Sequence, residues 1–146
     1  MSEANKALIR HWCNEGFNKN NMAVADEVYA ANVYYNEPSA GEVIGCEPLK
    51  QFVATWRTAF PDSVLRIDEE VAEGDRLAVR WTFRGTHRGD FRGLAPTGRT
   101  IEFTAMYFYR FNGGKVVEIH AMVNLLKLLQ QLGAVPSLQQ VRELKE

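Results

Sequence analysis

The sequence has few cysteines, no long apolar run and no excess of charge of either sign. Its 146 residues include two cysteines, Cys13 and Cys46, too few for the disulfide framework of a small secreted protein. No segment approaches the roughly 18 consecutive apolar residues of a membrane-spanning helix. Seventeen basic residues against 18 acidic ones leave a net charge of −1, without the basic excess that nucleic-acid binding needs. We therefore expect a cytoplasmic protein without nucleic-acid or membrane partners.

The common catalytic signatures are also missing. The sequence contains no GxxxxGK[ST] phosphate loop and no GxGxxG, HExxH or GxSxG motif. Its three histidines, His11, His87 and His120, fall in different predicted elements, and the two cysteines lack the spacing of a zinc site. Neither a metal ion nor an organic cofactor is expected.

The composition is that of one globular domain. Hydrophobic residues make up 46% and charged residues 24% of the chain. A chain near 150 residues buries roughly 68–70% of its unfolded surface, which suffices for a core of its own. No linker or repeat divides residues 1–146, so a single domain is predicted.

Helical periodicity comes first along the chain and strand periodicity follows, which favours an α+β domain. Helices are predicted over residues 2–17, 22–29, 48–60 and 125–132. Strands are predicted over residues 33–35, 63–72, 77–83, 100–111 and 115–123, with a loop over 38–45. The predicted architecture is one curved antiparallel sheet packed by helices.

The last predicted strand has two chemically different faces, one uniformly apolar and one that mixes polar groups with a methionine. The apolar face consists of Val117, Ile119, Ala121 and Val123. The mixed face consists of Glu118, His120, Met122 and Asn124. We expect the mixed face to form the wall of a ligand pocket and the apolar face to pack against protein. On that wall, His120 either exchanges a proton with a substrate or is a hydrogen-bonded histidine at a sheet surface or interface.

The segment Tyr34–Glu37 is a second candidate. Tyr34 and Asn36 can hold a carbonyl group or a water molecule, and the alternative roles are aromatic core packing and a turn cap. Glu37 is either an exposed carboxylate at the rim of a pocket or, if the pocket removes it from water, a general base.

Four arginines bracket a glycine-rich connection, and they either attract an anionic substrate tail or belong to a solvated loop. They are Arg84, Arg88, Arg92 and Arg99. A sheet with two apolar faces needs a cover on each, and helices can supply one of them. A second copy of the chain is the expected cover for the other.

Three segments carry a resemblance to a known family: AFPD at 59–62, RWTFRGTHRGDFRGLAPTGR at 80–99 and RFNGGKVVEIHAMVNLLKLLQQLG at 110–133. With them the chain resembles the SnoaL-like polyketide cyclases, a branch of the nuclear transport factor 2-like superfamily that also includes ketosteroid isomerase and limonene epoxide hydrolase. The resemblance covers about residues 5–133 and leaves 134–146 as a C-terminal tail. It implies a cone-shaped, cystatin-like α+β barrel, in which N-terminal helices close the sheet around an apolar cavity, and assembly as homodimers or higher oligomers.

The resemblance also implies a chemistry. In the family, an aspartate near the end of the last long strand removes a proton next to a carbonyl group, and the enolate closes a ring by intramolecular aldol addition without a cofactor. The matching residues here are Glu118, His120 and Asn124, and the amide of Asn124 cannot take up a proton. We expect His120 to act as the base, with Asn124 and Tyr34 as polar supports. The residues expected to contact the substrate are Asn36, Trp56, Arg80, Met106, Glu118 and Met122.

Two other functions stay open. One is a non-catalytic ligand-binding or dimerisation module that has lost the family's aspartate. The other is an epoxide-hydrolase-like enzyme in which Tyr34 and Asn36 position a water molecule, although Asn124 falls where that enzyme needs an aspartate. The expected ligand is a small apolar or carbonyl-bearing molecule.

Overall fold

A curved sheet of six strands forms the framework of the molecule in the computed structural model, which describes residues 2–145. The strands are β1 (Tyr29–Glu37), β2 (Gly41–Ile44), β3 (Val64–Glu73), β4 (Arg76–Thr86), β5 (Thr100–Asn112) and β6 (Lys115–Val123). They lie in the order β2-β1-β6-β5-β4-β3. All neighbours are antiparallel except β1 and β6, the first and last strands of the chain, which pair in parallel.

Helices pack against this sheet, except the last one, which has no buried residue. They are α1 (Ser2–His11), α2 (Ala25–Val28), α3 (Cys46–Ala59), α4 (Leu125–Gln131) and α5 (Leu138–Leu144), with a π-helical turn at Trp12–Phe17 and a 3-10 turn at Met22–Val24. Among residues 2–145, no helix has both the length and the apolar character needed to cross a membrane. The predicted α+β architecture with a curved sheet is confirmed.

The predicted elements differ from the structure in three places. The helix predicted over residues 2–17 is α-helical only to His11, and the π-helical turn follows. Gly16 makes this turn possible, because a Cβ atom there would lie 2.4 Å from the ring of Trp12. The predicted 22–29 helix shortens to α2, since Tyr29 already belongs to β1, and the predicted 38–45 loop contains the short edge strand β2.

A β-bulge in β6 decides which of its side chains face the interior. Phe111 pairs with Val116 and Arg110 pairs with Glu118, so Val117 has no partner and drops out of the alternation. Past the bulge, Ile119 is buried whereas His120 is exposed. The prediction that Val117 continues the apolar row was therefore wrong, and the row begins instead at Val116.

Asn18 joins the N-terminal helices to the free edge of the sheet at β3. Its Nδ2 donates to the carbonyl oxygen of Leu65 at 2.9 Å, and its Oδ1 accepts from the amide nitrogen of Leu65 at 2.8 Å. The side-chain amide thereby imitates a neighbouring strand for one residue. This pairing holds the helices against the end of the sheet and closes that side of the interior.

We expect Asn18→Ala to lower the free energy of unfolding by about 2 kcal/mol, because it removes two hydrogen bonds and leaves the amide nitrogen of Leu65 without a partner, whereas the Leu65 carbonyl oxygen keeps the thiol of Cys13. Denaturation by urea, followed by circular dichroism, measures this change. The matched control is Asn14→Ala, an exposed position in the same π-helical turn, which should stay within about 0.5 kcal/mol of the unmodified protein. Equal free energies of unfolding for the two variants would contradict the pairing of Asn18 with the edge of the sheet.

Candidate active site

A cavity of about 80 Å³, partly open to the surface, lies between the sheet and the helices. Aromatic rings form much of its wall, and none of the side chains that line it carries a formal charge. Trp56 of α3 lies at the centre of this packing, with its ring 5.5 Å from Phe83 and 5.8 Å from Phe103, centroid to centroid. The predicted contact residue Trp56 therefore does line the cavity.

Tyrosine hydroxyls are the main polar groups at the cavity wall. Tyr29 and Tyr35 come from β1, and Tyr107 and Tyr109 from β5. Burial raises the pKa of Tyr29 and Tyr109 well above the usual value. Burial also raises the pKa of Tyr35 and Tyr107, and the negative charge of Glu37 adds to both shifts. These tyrosines therefore stay protonated near neutral pH and can donate hydrogen bonds.

The indole of Trp81 adds one more donor to the wall. Within residues 2–145 its buried Nε1–H makes no hydrogen bond of standard geometry, although it interacts with the hydroxyl of Tyr109, and Trp81 lines the cavity. A buried donor without an acceptor costs about 1–3 kcal/mol. A ligand with a carbonyl oxygen near this atom would remove that cost.

Glu37 is a buried carboxylate with 2% of its surface exposed. It does not itself line the cavity, but its charge acts on Tyr35 and Tyr107, which do. It shares the inner face of β1 with Tyr35, two residues earlier. Asn36 pairs with His120, which places Glu37 next to Ala121, and Ala121 pairs with Tyr107. Only the small side chain of Ala121 therefore separates Glu37 from Tyr107 along this row.

The hydrogen bonds of Glu37 use only one of its two carboxylate oxygens. Oε2 accepts from the amide nitrogens of Ser39 at 2.8 Å and Ala40 at 3.0 Å, and from the hydroxyl of Ser39. No side chain or backbone group within residues 2–145 is found to donate to Oε1. The turn after β1 thus fixes the carboxylate through one oxygen, and the other has no donor among the described residues. The interpretation of Glu37 as an exposed rim residue was wrong, because the turn folds over it.

The face of β6 expected to form the pocket wall lies on the outside of the sheet. Ile119 and Val123 line the cavity instead. The side chain of His120 is 55% exposed, and its Nε2 lies 2.7 Å from Oε1 of Glu118. The alternation of the sequence identified the two faces, but the cavity is itself apolar, so the apolar face turns inward. The predicted placement of His120, Glu118 and Met122 at the cavity wall was wrong.

The remaining predicted wall residues lie on the same outer face or at its end. Met106 is 63% exposed, and Arg80 lies within 3.5 Å of Asp68. Tyr34 and Asn36 alternate with the inward-facing residues of β1, and the Tyr34 ring lies 5.8 Å from that of His120. None of these four lines the cavity, so their predicted placement is corrected as well.

Asn124 is the N-cap of α4. Its Oδ1 accepts from the amide nitrogen of Lys127 at 3.2 Å, and its side chain is exposed. Asparagine and aspartate cap helices about equally well, so an amide at this position preserves the helix start without an acid. The side chain of Asn124 does not line the cavity. Across residues 2–145, no group of three side chains is arranged to hold a metal ion.

Comparison with known proteins places this geometry in a family. The sequence pattern of the SnoaL-like polyketide cyclases matches residues 7–132. AclR from Streptomyces galilaeus, a suggested hydroxylase, is 28% identical with a TM-score of 0.85, over 99% of this chain and 90% of its own. IdmH from Streptomyces antibioticus, a suggested polyketide cyclase, is 28% identical with a TM-score of 0.78, over 88% and 98%.

A lower-identity structure has the same fold. It is a suggested SnoaL-like polyketide cyclase from Jannaschia sp. CCS1, 22% identical with a TM-score of 0.84, over 92% of this chain and 95% of its own. None of the curated proteins matches the chain.

We expect the free energy of unfolding to fall as the pH rises above about 10, where tyrosines of the unfolded chain ionise while the buried ones stay protonated. The stability that these raised pKa values contribute is complete below that pH and is lost above it. Each buried tyrosine adds a slope of up to about 1.4 kcal/mol per pH unit. Urea denaturation at a series of pH values measures the slope.

The control for this pH dependence compares two neighbouring tyrosines of β1. Tyr35→Phe removes a buried hydroxyl, and we expect the slope to decrease by about 1 kcal/mol per pH unit. Tyr34→Phe removes a hydroxyl on the outer face and should change the slope less. The same slope in both variants would contradict the assignment of Tyr35 to the buried wall.

Proposed function

The chain belongs to the SnoaL-like polyketide cyclase family, and we propose that its cavity binds a small, largely apolar carbonyl compound on which Glu37 transfers a proton. The observation that supports this is the buried carboxylate of Glu37, fixed through Oε2 and free at Oε1. Aromatic and aliphatic side chains around the cavity suit the apolar body of such a ligand. Tyrosine hydroxyls and the Trp81 Nε1–H suit its carbonyl oxygen.

The proposed reaction is an intramolecular aldol cyclisation that needs no external reactant. Oε1 of Glu37 takes a proton from the carbon next to the carbonyl group, and the electron pair of that C–H bond moves to the carbonyl oxygen. Protonated tyrosine hydroxyls donate to the resulting enolate oxygen, as donors in an oxyanion hole do. The enolate carbon then bonds to a second carbonyl carbon of the same molecule. The new alkoxide recovers the proton from Glu37, which returns the carboxylate to its initial state.

Glu37 fits this role better than His120 because of where each side chain lies. A general base has to come within hydrogen-bond reach of the proton it removes. Glu37 lies on the inner face of β1, in the row that also contains Tyr107. His120 lies on the outer face, where its Nε2 contacts Glu118. A ligand in the cavity would be separated from His120 by the sheet.

We expect Glu37→Gln to lower the catalysed exchange of the methyl protons of 2-acetylnaphthalene in D₂O by at least about 100-fold, because a general base contributes roughly 10²- to 10⁴-fold. Proton NMR of the ketone measures the exchange. Glutamine keeps an oxygen for the amide nitrogens of Ser39 and Ala40, so the turn is preserved. Quenching of tryptophan fluorescence should show an unchanged dissociation constant, since Trp12, Trp56 and Trp81 line the cavity.

His120→Gln is the matched control for this experiment, and its exchange rate should equal that of the unmodified protein. Full exchange in Glu37→Gln would contradict Glu37 as the base. Loss of exchange in His120→Gln would favour His120 on the outer face instead. Binding without exchange in the unmodified protein would favour a non-catalytic ligand-binding module. Thermal denaturation confirms that each variant is folded.

We also propose that two copies of the chain associate through the outer face of the sheet. Met106, Phe108 and Met122 are 63%, 57% and 60% exposed there, on the neighbouring strands β5 and β6. The ion pair between Arg110 and Glu118 lies beside them. An apolar centre with charged groups at its edge is typical of a subunit interface.

We expect Met106→Glu to shift the chain from dimer to monomer, with the dissociation constant raised on the order of 100-fold, because a two-fold interface would bury two like charges. Sedimentation equilibrium measures the mass. Leu144→Glu is the matched control, since Leu144 is 78% exposed on α5, a helix outside the sheet, and it should leave the mass unchanged. The proposal fails if Met106→Glu has the mass of the unmodified protein or if that protein is already monomeric.

A further inference from the structure

A groove of about 670 Å³ lies outside the cavity, between the exposed side of α3 and the hairpin tip at residues 90–93. Its polar lining comes from Ser39, Gln51, Thr55, Thr58, Asp90 and Arg92. Phe52 of α3 belongs to both spaces, with one side toward the cavity and the other toward the groove. Phe52 therefore stands between the two spaces, beside the contact of Trp56 in the cavity wall with Phe91 in the groove, whose ring centroids are 5.1 Å apart.

The backbone at Arg92 adopts a conformation that is uncommon for its residue type. Phe91 and Leu94 exchange two backbone hydrogen bonds of 3.0 and 2.8 Å across a two-residue turn made by Arg92 and Gly93. Both turn residues have positive φ angles, 49° and 89°. A side chain with a Cβ atom is disfavoured there, and such conformations concentrate at functional sites. The turn directs the Arg92 guanidinium over the Trp56 ring, 5.6 Å from its centroid.

The guanidinium of Arg92 keeps most of its hydrogen-bonding capacity. Nη1 donates to the hydroxyl of Ser39 at 3.3 Å, and the other four N–H groups have no acceptor within residues 2–145. No carboxylate of the described chain lies within ion-pair distance of Arg92. Of the four arginines near the glycine-rich connection, Arg92 is the one that lines the groove.

Ser39 connects this guanidinium to the proposed base. Its hydroxyl accepts from Arg92 and donates to Oε2 of Glu37. The proposed reacting carboxylate and the free guanidinium thus lie at the two ends of one hydrogen-bonded chain, one buried and the other in the groove. A substrate that reaches both would carry its reacting carbon near Glu37 and a group of opposite charge near Arg92.

The size of the cavity requires such an extension. Its volume of about 80 Å³ is below the roughly 300–1,000 Å³ of typical ligand pockets. A carbonyl compound of ordinary size therefore passes Phe52 and enters the groove. We infer that this groove is a second binding subsite, in which Arg92 holds a carboxylate substituent of the substrate. This inference rests on the proposed function of the cavity and adds a charged group to its substrate class.

Asp90 is the group in the groove that opposes an anion. Its Oδ2 accepts from the amide nitrogen of Gly93 at 3.1 Å, so it is needed for the turn that positions Arg92. Its negative charge weakens the attraction that Arg92 exerts on a carboxylate. Substitutions of Arg92 and of Asp90 should therefore change the preference for an anionic ligand in opposite directions.

The test compares 6-acetyl-2-naphthoic acid with its methyl ester by quenching of tryptophan fluorescence. We expect the unmodified protein to bind the acid about tenfold more tightly, as a charge-assisted bidentate contact allows. Arg92→Met should remove this preference and leave the affinity for the ester unchanged. Asp90→Asn, which keeps an acceptor for Gly93, should increase the preference about threefold. The matched control is Arg88→Met, an exposed arginine of the same loop outside the groove, which should behave like the unmodified protein.

The outcomes separate the subsite from the cavity. Equal affinities for acid and ester in the unmodified protein, or an equal loss of preference in Arg88→Met and Arg92→Met, would overturn the subsite and leave the proposed cavity function standing. If the acid binds through Arg92 and the ester does not bind at all, the subsite stands and the apolar cavity function fails. If neither compound binds, both are overturned. A preference that weakens from about 50 to about 500 mM KCl supports an electrostatic contact.

Discussion

The burial of one carboxylate, Glu37, is the constraint on which the site depends. A charged group away from water costs several kcal/mol unless hydrogen bonds replace its hydration. The turn after β1 supplies them, through the amide nitrogens of Ser39 and Ala40 and the Ser39 hydroxyl. That turn also reverses the chain into β2, which pairs back onto β1. The short edge strand, the turn and the orientation of the carboxylate are consequently parts of one arrangement.

Most of the fold could be predicted from the sequence, because helical and strand periodicities are visible in the residues themselves. The two long strands β4 and β5 and the last strand β6 lie where alternation and the Asn112–Gly114 turn place them. The strand β2 could not be predicted, since it has four residues and depends on pairing with β1. The π-helical turn was missed for a different reason: it rests on a local contact, the approach of the Trp12 ring to Gly16 four residues later, and apolar periodicity does not distinguish it from an α-helical turn.

The site was harder to predict than the fold. Alternation shows which side chains of β6 share a face, but it does not show which face encloses the ligand. The mixed polar face suggested a pocket wall, whereas the apolar face lines the cavity. The polar atoms of the cavity wall are mainly tyrosine hydroxyls, and a tyrosine in a strand is equally typical of a core residue. One signal was present: Val33, Tyr35 and Glu37 alternate along β1, so the carboxylate follows two inward-facing residues. The helix cap made by Asn124 shows why the family's position for an acid can be filled by an amide without loss of structure.

The place of Phe52 between the cavity and the groove has a kinetic consequence. A ligand confined to the cavity leaves this ring free to close behind it, so escape requires a renewed rotation of the side chain. A ligand that spans both spaces holds the ring aside for as long as it stays bound. The residence time of a ligand then depends on its length as well as on its affinity. After a reaction that shortens or folds the ligand, the position of Phe52 in α3 between the two spaces then contributes to the rate of product release.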